Sequence, residues 1–352
     1  MLSFFGCATQ GKNLDESIEE RFKLIMDSRV ELLGTIKILS DFKANSNNCA
    51  VLNTVYKMNV VKYFAPFKDD PSIAFYEKLT KSPLKDSLTL NLMLHLSNPP
   101  NLETKVPIDD IPLTEGITSE ELNYFLALLR EFANKSKYMK FFDSQENIIR
   151  EFTNIQKRNM SNTLKDVLKL EEYFGKKQNS YNLIITPLIL YEKYTYFFRK
   201  KELNDSEKMD IYIVAGISEI RNGYPCFGSE EEFREIINMK VTHAFVDPLT
   251  EKFKEDTEKY SYLFNPIAEN MKKQGIFSWK ACVNEHLVKT IGLELSELSE
   301  EEIEESIKKS ESAGFIYLRQ IYASLKKYRL NRDKYITFES FYPEILESLE
   351  KV

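Results

Sequence analysis

Cysteine and histidine are scarce in this chain of 352 residues, and their scarcity closes off several kinds of chemistry. The four cysteines, Cys7, Cys49, Cys226 and Cys282, show no CxxC or other ligand spacing, so neither a thiolate metal site nor a disulfide framework is indicated. Only three histidines are present, His95, His243 and His286. No run of 18 apolar residues occurs, which excludes a membrane-spanning helix of ordinary length. A basic excess is missing too: 48 Lys and Arg stand against 54 Asp and Glu, net −6, which argues against a general nucleic-acid-binding surface.

What the chain does have is apolar residues, 43% of the total, enough to bury a large core as one large domain or as two lobes. Its N-terminus, MLSFFGCATQGKN, holds a short apolar piece ending in Gly6-Cys7. A complete secretion signal needs a basic start and an apolar region of about 7–15 residues. Residues 1–15 therefore read in one of two ways. They are the end of a truncated lipoprotein signal, with Cys7 as the lipidation site and an extracytoplasmic location if the start codon lies upstream, or they are a frayed tail of a cytoplasmic protein.

From Leu14 to Asp41 an acidic, helical-looking run leads into Val30–Leu39, where periodicity alone does not separate helix from strand, although Leu32, Leu33, Ile36 and Leu39 suit a helix better. Val51–Phe64 leans to helix and ends at Pro66. Leu88–Leu96 fits neither template well. Thr118 and Glu121 form a capping box, and Leu122, Phe125, Leu126 and Leu129 line one face of the helix that follows. Between Phe132 and Phe174 the aromatics Tyr138, Phe141, Phe142, Phe152 and Tyr173 could in principle stack on nucleic-acid bases, but with an acidic balance they read as a core face. A turn at Gly175–Ser180 marks the boundary between a helical lobe over 16–175 and a second lobe over 176–352. Tyr181–Thr186 and Met209–Gly216 are short β-branched runs, as expected of buried strands.

The stretch Ser229–Pro248, SEEEFREIINMKVTHAFVDP, reads as a helix with a capping box at Ser229 and Glu232 and a stop at Pro248. Phe233, Ile236, Ile237, Val241, Ala244 and Phe245 recur at helical spacing and face a core. Met239, Lys240 and His243 fall three and four residues apart. In a zinc helix of the form H-E-x-x-H, two histidines one turn apart bind the ion and the Glu after the first is the general base. Here Met239 and Lys240 stand at the first two of these positions and His243 at the third.

Together with THAFVDPLTEKF at 242–253 and WKACVNEHLVK at 279–289, this stretch resembles the DUF4932 family, whose members look like gluzincin-type metallopeptidases with a motif H-E-F-S-H-S-F-V-N-P and a later helix containing N-E-H-L-V-R. The resemblance extends to Arg29–Leu33, Val61–Phe67, Phe132–Phe142 and Gly314–Pro343. It implies an α+β, mostly helical, zincin-like fold, with a helical N-terminal half and a small sheet beside the motif helix that could hold an extended peptide. It also implies that the second His of the motif falls on His243 and its later acidic ligand on Glu285.

A catalytic zinc site needs three protein ligands and an open position. His243 and Glu285 supply two, and methionine is a soft thioether that suits copper(I) better than zinc. The expected pocket is therefore a vestigial one formed by Met239, Lys240, His243 and Glu285, with no catalytic, cofactor or metal role assigned and with Lys240 or a neighbour pairing with Glu285 in place of metal charge. The functional expectation is an inactive relative of the peptidases, a pseudoenzyme that binds a peptide or protein in the former cleft. Two alternatives stay open: an active zinc-dependent hydrolase with a non-standard ligand set, and a structural component of the cell envelope.

Overall fold

A computed structural model describes residues 18, 20–43, 53–80, 83–104, 117–158, 160–190, 196–202 and 205–351. Cys7, Cys49 and the proposed lipidation segment lie outside the described residues. In chain order the regular elements begin with β1 (Phe22–Ile25), α1 (Ser28–Lys43), α2 (Val55–Phe64), α3 (Pro71–Leu79), α4 (Pro83–Leu94), α5 (Ser119–Lys135), α6 (Tyr138–Ser144), α7 (Glu146–Arg158) and α8 (Ser161–Phe174). The strands β2 (Ser180–Leu190), β3 (Tyr196–Glu202), β4 (Asp205–Ile217), β5 (Glu219–Arg221) and β6 (Tyr224–Cys226) follow. The chain ends in α9 (Glu230–Lys252), α10 (Lys254–Glu258), α11 (Ala268–Lys273), α12 (Trp279–Glu294), α13 (Glu300–Ser312), α14 (Leu318–Leu330) and α15 (Phe338–Ser348). The class is α+β and mostly helical, and no helix of the described residues is long and apolar enough to cross a membrane.

Two compact units share the chain, and they interleave: one comprises residues 1–161 and 180–233, the other 162–179 and 234–352. In the first, a four-stranded sheet runs in the order β1-β2-β4-β3, with β1, β2 and β4 parallel and β3 antiparallel to β4. The apolar runs at 181–186 and 209–216 do form strands, and they are the two inner ones. Ile184, Ile185, Ile211 and Val214 are buried, as continuous apolar strands of a parallel core should be. A strand the periodicity hid is β1, whose four residues pair with Tyr181–Ile184 and precede the expected helix α1. Parallel neighbours need a long crossover. Residues 22–25 and 180–190 therefore belong to one unit although the chain between them is helical, and the strands after the turn at 175–180 group with the N-terminal helices.

The aromatic residues of this unit pack on one another. Phe64 lies 5.9 Å from Phe132 and 4.9 Å, edge to face, from Phe141, and Tyr138 is fully buried with its hydroxyl donating to the Ser28 carbonyl at 2.8 Å. Helix α1 buries Leu32, Leu33, Ile36 and Leu39 and approaches β2 so closely at Gly34 that a Cβ there would stand 2.8 Å from Leu188 Cβ. Leu88–Leu94 proves helical, as the C-terminal half of α4.

In the second unit, α8 ends at Gly175, whose positive φ of 64° and contact with the Ile336 carbonyl leave no room for a side chain. Phe174 stacks on Phe245 at 4.6 Å, and Tyr173 meets Tyr328 and Phe338 edge-on and tilted. Ser299 and Glu302 form a capping box at the start of α13. One boundary is corrected: α9 does not stop at Pro248 but runs through it to Lys252. Proline removes one donor, to the carbonyl of residue 244, while buried Val246 and Leu249 on either side hold the turn in place.

Candidate functional site

Helix α9 starts where the capping box puts it: Glu232 N–H donates to Ser229 Oγ and Ser229 N–H to Glu232 Oε2. Its apolar stripe, Phe233, Ile237, Val241, Ala244 and Phe245, is buried. Asp166 on α8 fixes its first half by accepting from Arg234 and Asn238. What the stripe leaves half-buried is the line Lys240, His243, Asp247, at the three- and four-residue spacings that bring side chains together on a helix. Facing it is α12, capped by Ser278, whose apolar positions Cys282, Val283, Leu287 and Val288 are buried and which carries Asn284 and Glu285 into the same place.

His243 is the centre of the cluster. Its Nδ1 lies 3.1 Å from Asp247 Oδ1 and its Nε2 3.3 Å from Glu285 Oε1. Two carboxylates flanking both ring nitrogens are satisfied together only by the imidazolium, which donates from each. Burial alone would lower the pKa of the ring, but the two hydrogen-bonded carboxylates outweigh it and lift the pKa to about 9. Glu285 shows the reverse: burial works to raise its pKa, and the bond and charge of His243, with Lys240 and Lys289 beyond, bring it below the ordinary value. Behind the ring a buried relay continues. Asp247 Oδ1 also accepts from Asn284 Nδ2 at 3.0 Å, Asn284 Oδ1 accepts from Thr250, and the Thr250 hydroxyl meets that of Tyr342 at 2.7 Å.

Lys240 enters differently from the expectation. Glu285 takes its hydrogen-bonded cation from His243, and the Lys240 ammonium acts on Glu285 and Asp247 from further away, with no hydrogen bond or ion pair of its own among the described residues. Burial lowers its pKa, and the two carboxylates restore part of the difference. Met239 is 37% exposed and has no hydrogen bond among the described residues.

The two remaining histidines serve elsewhere. His95 Nδ1 lies 2.9 Å from the Asn91 carbonyl in the first unit. His286, 1% exposed, donates from Nδ1 to the Cys282 carbonyl at 2.7 Å and packs against Phe315 and Tyr317, and burial lowers its pKa to about 4. Burial pushes the Cys282 thiol up to about 12, the direction that disfavours the thiolate.

Among the described residues no group of three His, Cys, Asp or Glu side chains converges to hold a metal. The two donors that could serve, His243 Nε2 and Glu285 Oε1, are bonded to each other, and an ammonium stands nearby. Of the four residues singled out in the sequence, His243 and Glu285 meet, Lys240 acts on Glu285 from further away, and Met239 does not join them. Sequence reasoning missed Asp247, Asn284, Thr250 and Tyr342, of which only Asp247 left a signal, its four-residue distance from His243.

Over residues 22–348 the chain matches the family described as Domain of unknown function (DUF4932), and it belongs to that family. No curated protein and no solved structure matches it.

Proposed function

We propose that this member of the family is a metallopeptidase-like protein of zincin ancestry that no longer hydrolyses and instead holds a peptide or protein in the former cleft. The observation that supports the reading is the 3.3 Å contact between His243 Nε2 and Glu285 Oε1. The contact is in keeping with two surviving donor positions of a metal motif standing side by side, where ligands of one ion would converge. Two substitutions account for the rest: a thioether at 239 offers zinc no useful ligand, and an ammonium at 240 accepts no proton from water.

Elemental analysis tests the loss of metal. The purified protein is expected to carry no zinc, and about one ion per chain, the load of an ordinary catalytic site, would overturn the reading. The double variant Met239→His, Lys240→Glu restores the third ligand and the base, and it is expected to take up zinc while remaining folded. A folded double variant that binds none would show that Glu285 does not face the motif helix as a ligand. Binding is tested with a random decapeptide pool passed over immobilised protein. Retention that the Glu285→Ala variant loses supports a peptide ligand at this site, and equal retention by both proteins removes it.

A further inference from the structure

The most isolated charge-bearing group of the first unit is Glu31, in the first turn of α1. Its side chain is wholly buried, and its carboxyl meets only neutral hydroxyls, those of Thr186 and Tyr56, with no ion pair among the described residues. Buried carboxyls are ordinarily paired, because an unpaired one costs several kcal/mol as an anion. Arg29, two residues earlier in the chain, is committed elsewhere: it forms a two-pronged pair with Asp27 and donates to the carbonyls of Leu94 and Leu96. The groups that face Glu31 from other elements are the hydroxyls of Tyr56 on α2, Tyr138 on α6 and Thr186 on β2, with the Asp27 charge on its own segment. Tyr138 donates its proton to the Ser28 carbonyl, whereas Thr186 accepts from the Leu188 N–H and keeps its own hydroxyl proton for the carboxyl.

The place is also where the sheet is irregular. The ladder between β2 and β4 is regular from Ser180 to Thr186 and then shifts register before Leu190. Over that stretch α1 lies against β2 at the Gly34–Leu188 contact. One buried acid and one break in the ladder therefore occupy a single junction.

We infer that Glu31 is a proton-operated latch between α1 and the irregular end of β2, closed while the carboxyl keeps its proton and released when the proton leaves to solvent. Closure holds the acid neutral, and burial with the Asp27 charge raises its pKa from 4.5 to about 8. Once the junction opens, water reaches the group and the ordinary carboxyl value returns. The closed state therefore binds the extra proton between the two values. Opening becomes easier as pH rises from about 4.5 to about 8 and changes no further beyond that.

Hydrogen exchange followed by mass spectrometry on the full chain reads this directly, once each rate is divided by the intrinsic base-catalysed rate. In the wild-type protein the opening constant over 180–190 and 28–43 is expected to rise about tenfold per pH unit between about pH 5 and 8, the slope of one linked proton, and to level off above. The isosteric variant Glu31→Gln is expected to show no such slope in those segments. Equal slopes in the two proteins, or a wild-type slope of zero, would overturn the latch. Should Glu31→Gln fail to fold, Tyr56→Phe decides: the Tyr56 hydroxyl favours the ionised form, so its removal moves the plateau to higher pH, and an unmoved plateau refutes the proposal.

Discussion

At the scale of the residue, the site is a matter of which protons are held. His243 carries a folded pKa raised to about 9 from 6.5, so its contribution to stability is complete below pH 6.5 and is lost as pH rises through 9. Glu285 is lowered, so its contribution is present above 4.5 and is lost as pH falls through its folded value. Together they place the best stability of the cluster between about pH 4.5 and 6.5. A chemical-shift titration of the His243 ring should give a midpoint near 9 in the wild-type protein, and Asp247→Asn should lower it by more than about one unit, since a neutral amide cannot supply the coulombic attraction. An unchanged midpoint would mean that Glu285 alone holds the proton. His243 and Glu285 stood out in the sequence through the stretches around them, 242–253 and 279–289, on which the family resemblance rests. Thr250 and Tyr342 did not, because their meeting depends on how α15 is set against α9, and no local spacing encodes that.

At the scale of the element, the two places where the sequence misled are both cases of packing overriding a local rule. Pro248 reads as a stop, yet α9 continues because Val246, Leu249 and Thr250 are buried around it. Pro248→Ala restores the missing donor without changing the buried set, and urea denaturation is expected to show a gain, at most the roughly 3 kcal/mol that proline costs a helix interior relative to alanine. A loss instead would mean that the packed turn depends on the ring. The strand β1 escaped notice because four residues that alternate poorly carry little signal, and only pairing with Tyr181–Ile184 defines them. At the α1–β2 contact, Gly34→Ala would force a Cβ to within 2.8 Å of Leu188. A cost of about 1–3 kcal/mol follows from overpacking, and the urea midpoint measures it. The capping boxes at Thr118, Ser229 and Ser299, by contrast, could be read residue by residue, since all their atoms lie within four positions.

At the scale of the whole molecule, the mostly helical class and the strand runs were legible, whereas the interleaving of the two units was not. A boundary near residue 175 is natural in one dimension, but α8 on its N-terminal side belongs with α9 and the C-terminal helices: Asp166 binds Arg234, Phe174 stacks on Phe245, and the Tyr328 hydroxyl donates to the Tyr173 carbonyl. A fragment covering 176–352 would lose all three contacts and also the β1 neighbour of β2. It is expected to lack a cooperative thermal transition by circular dichroism. A sharp transition at the wild-type midpoint would show that the C-terminal stretch suffices alone.

The placement of α8 has a further bearing on how the chain is made. Its aromatic pair, Tyr173 and Phe174, leaves the ribosome early, while Phe245, Tyr328 and Phe338, against which the pair is buried, come long after. At roughly 5–20 residues per second, the pair spends on the order of ten seconds uncovered before the last of them is synthesised. During nascent growth this helix is a stretch that a holding chaperone would serve to cover.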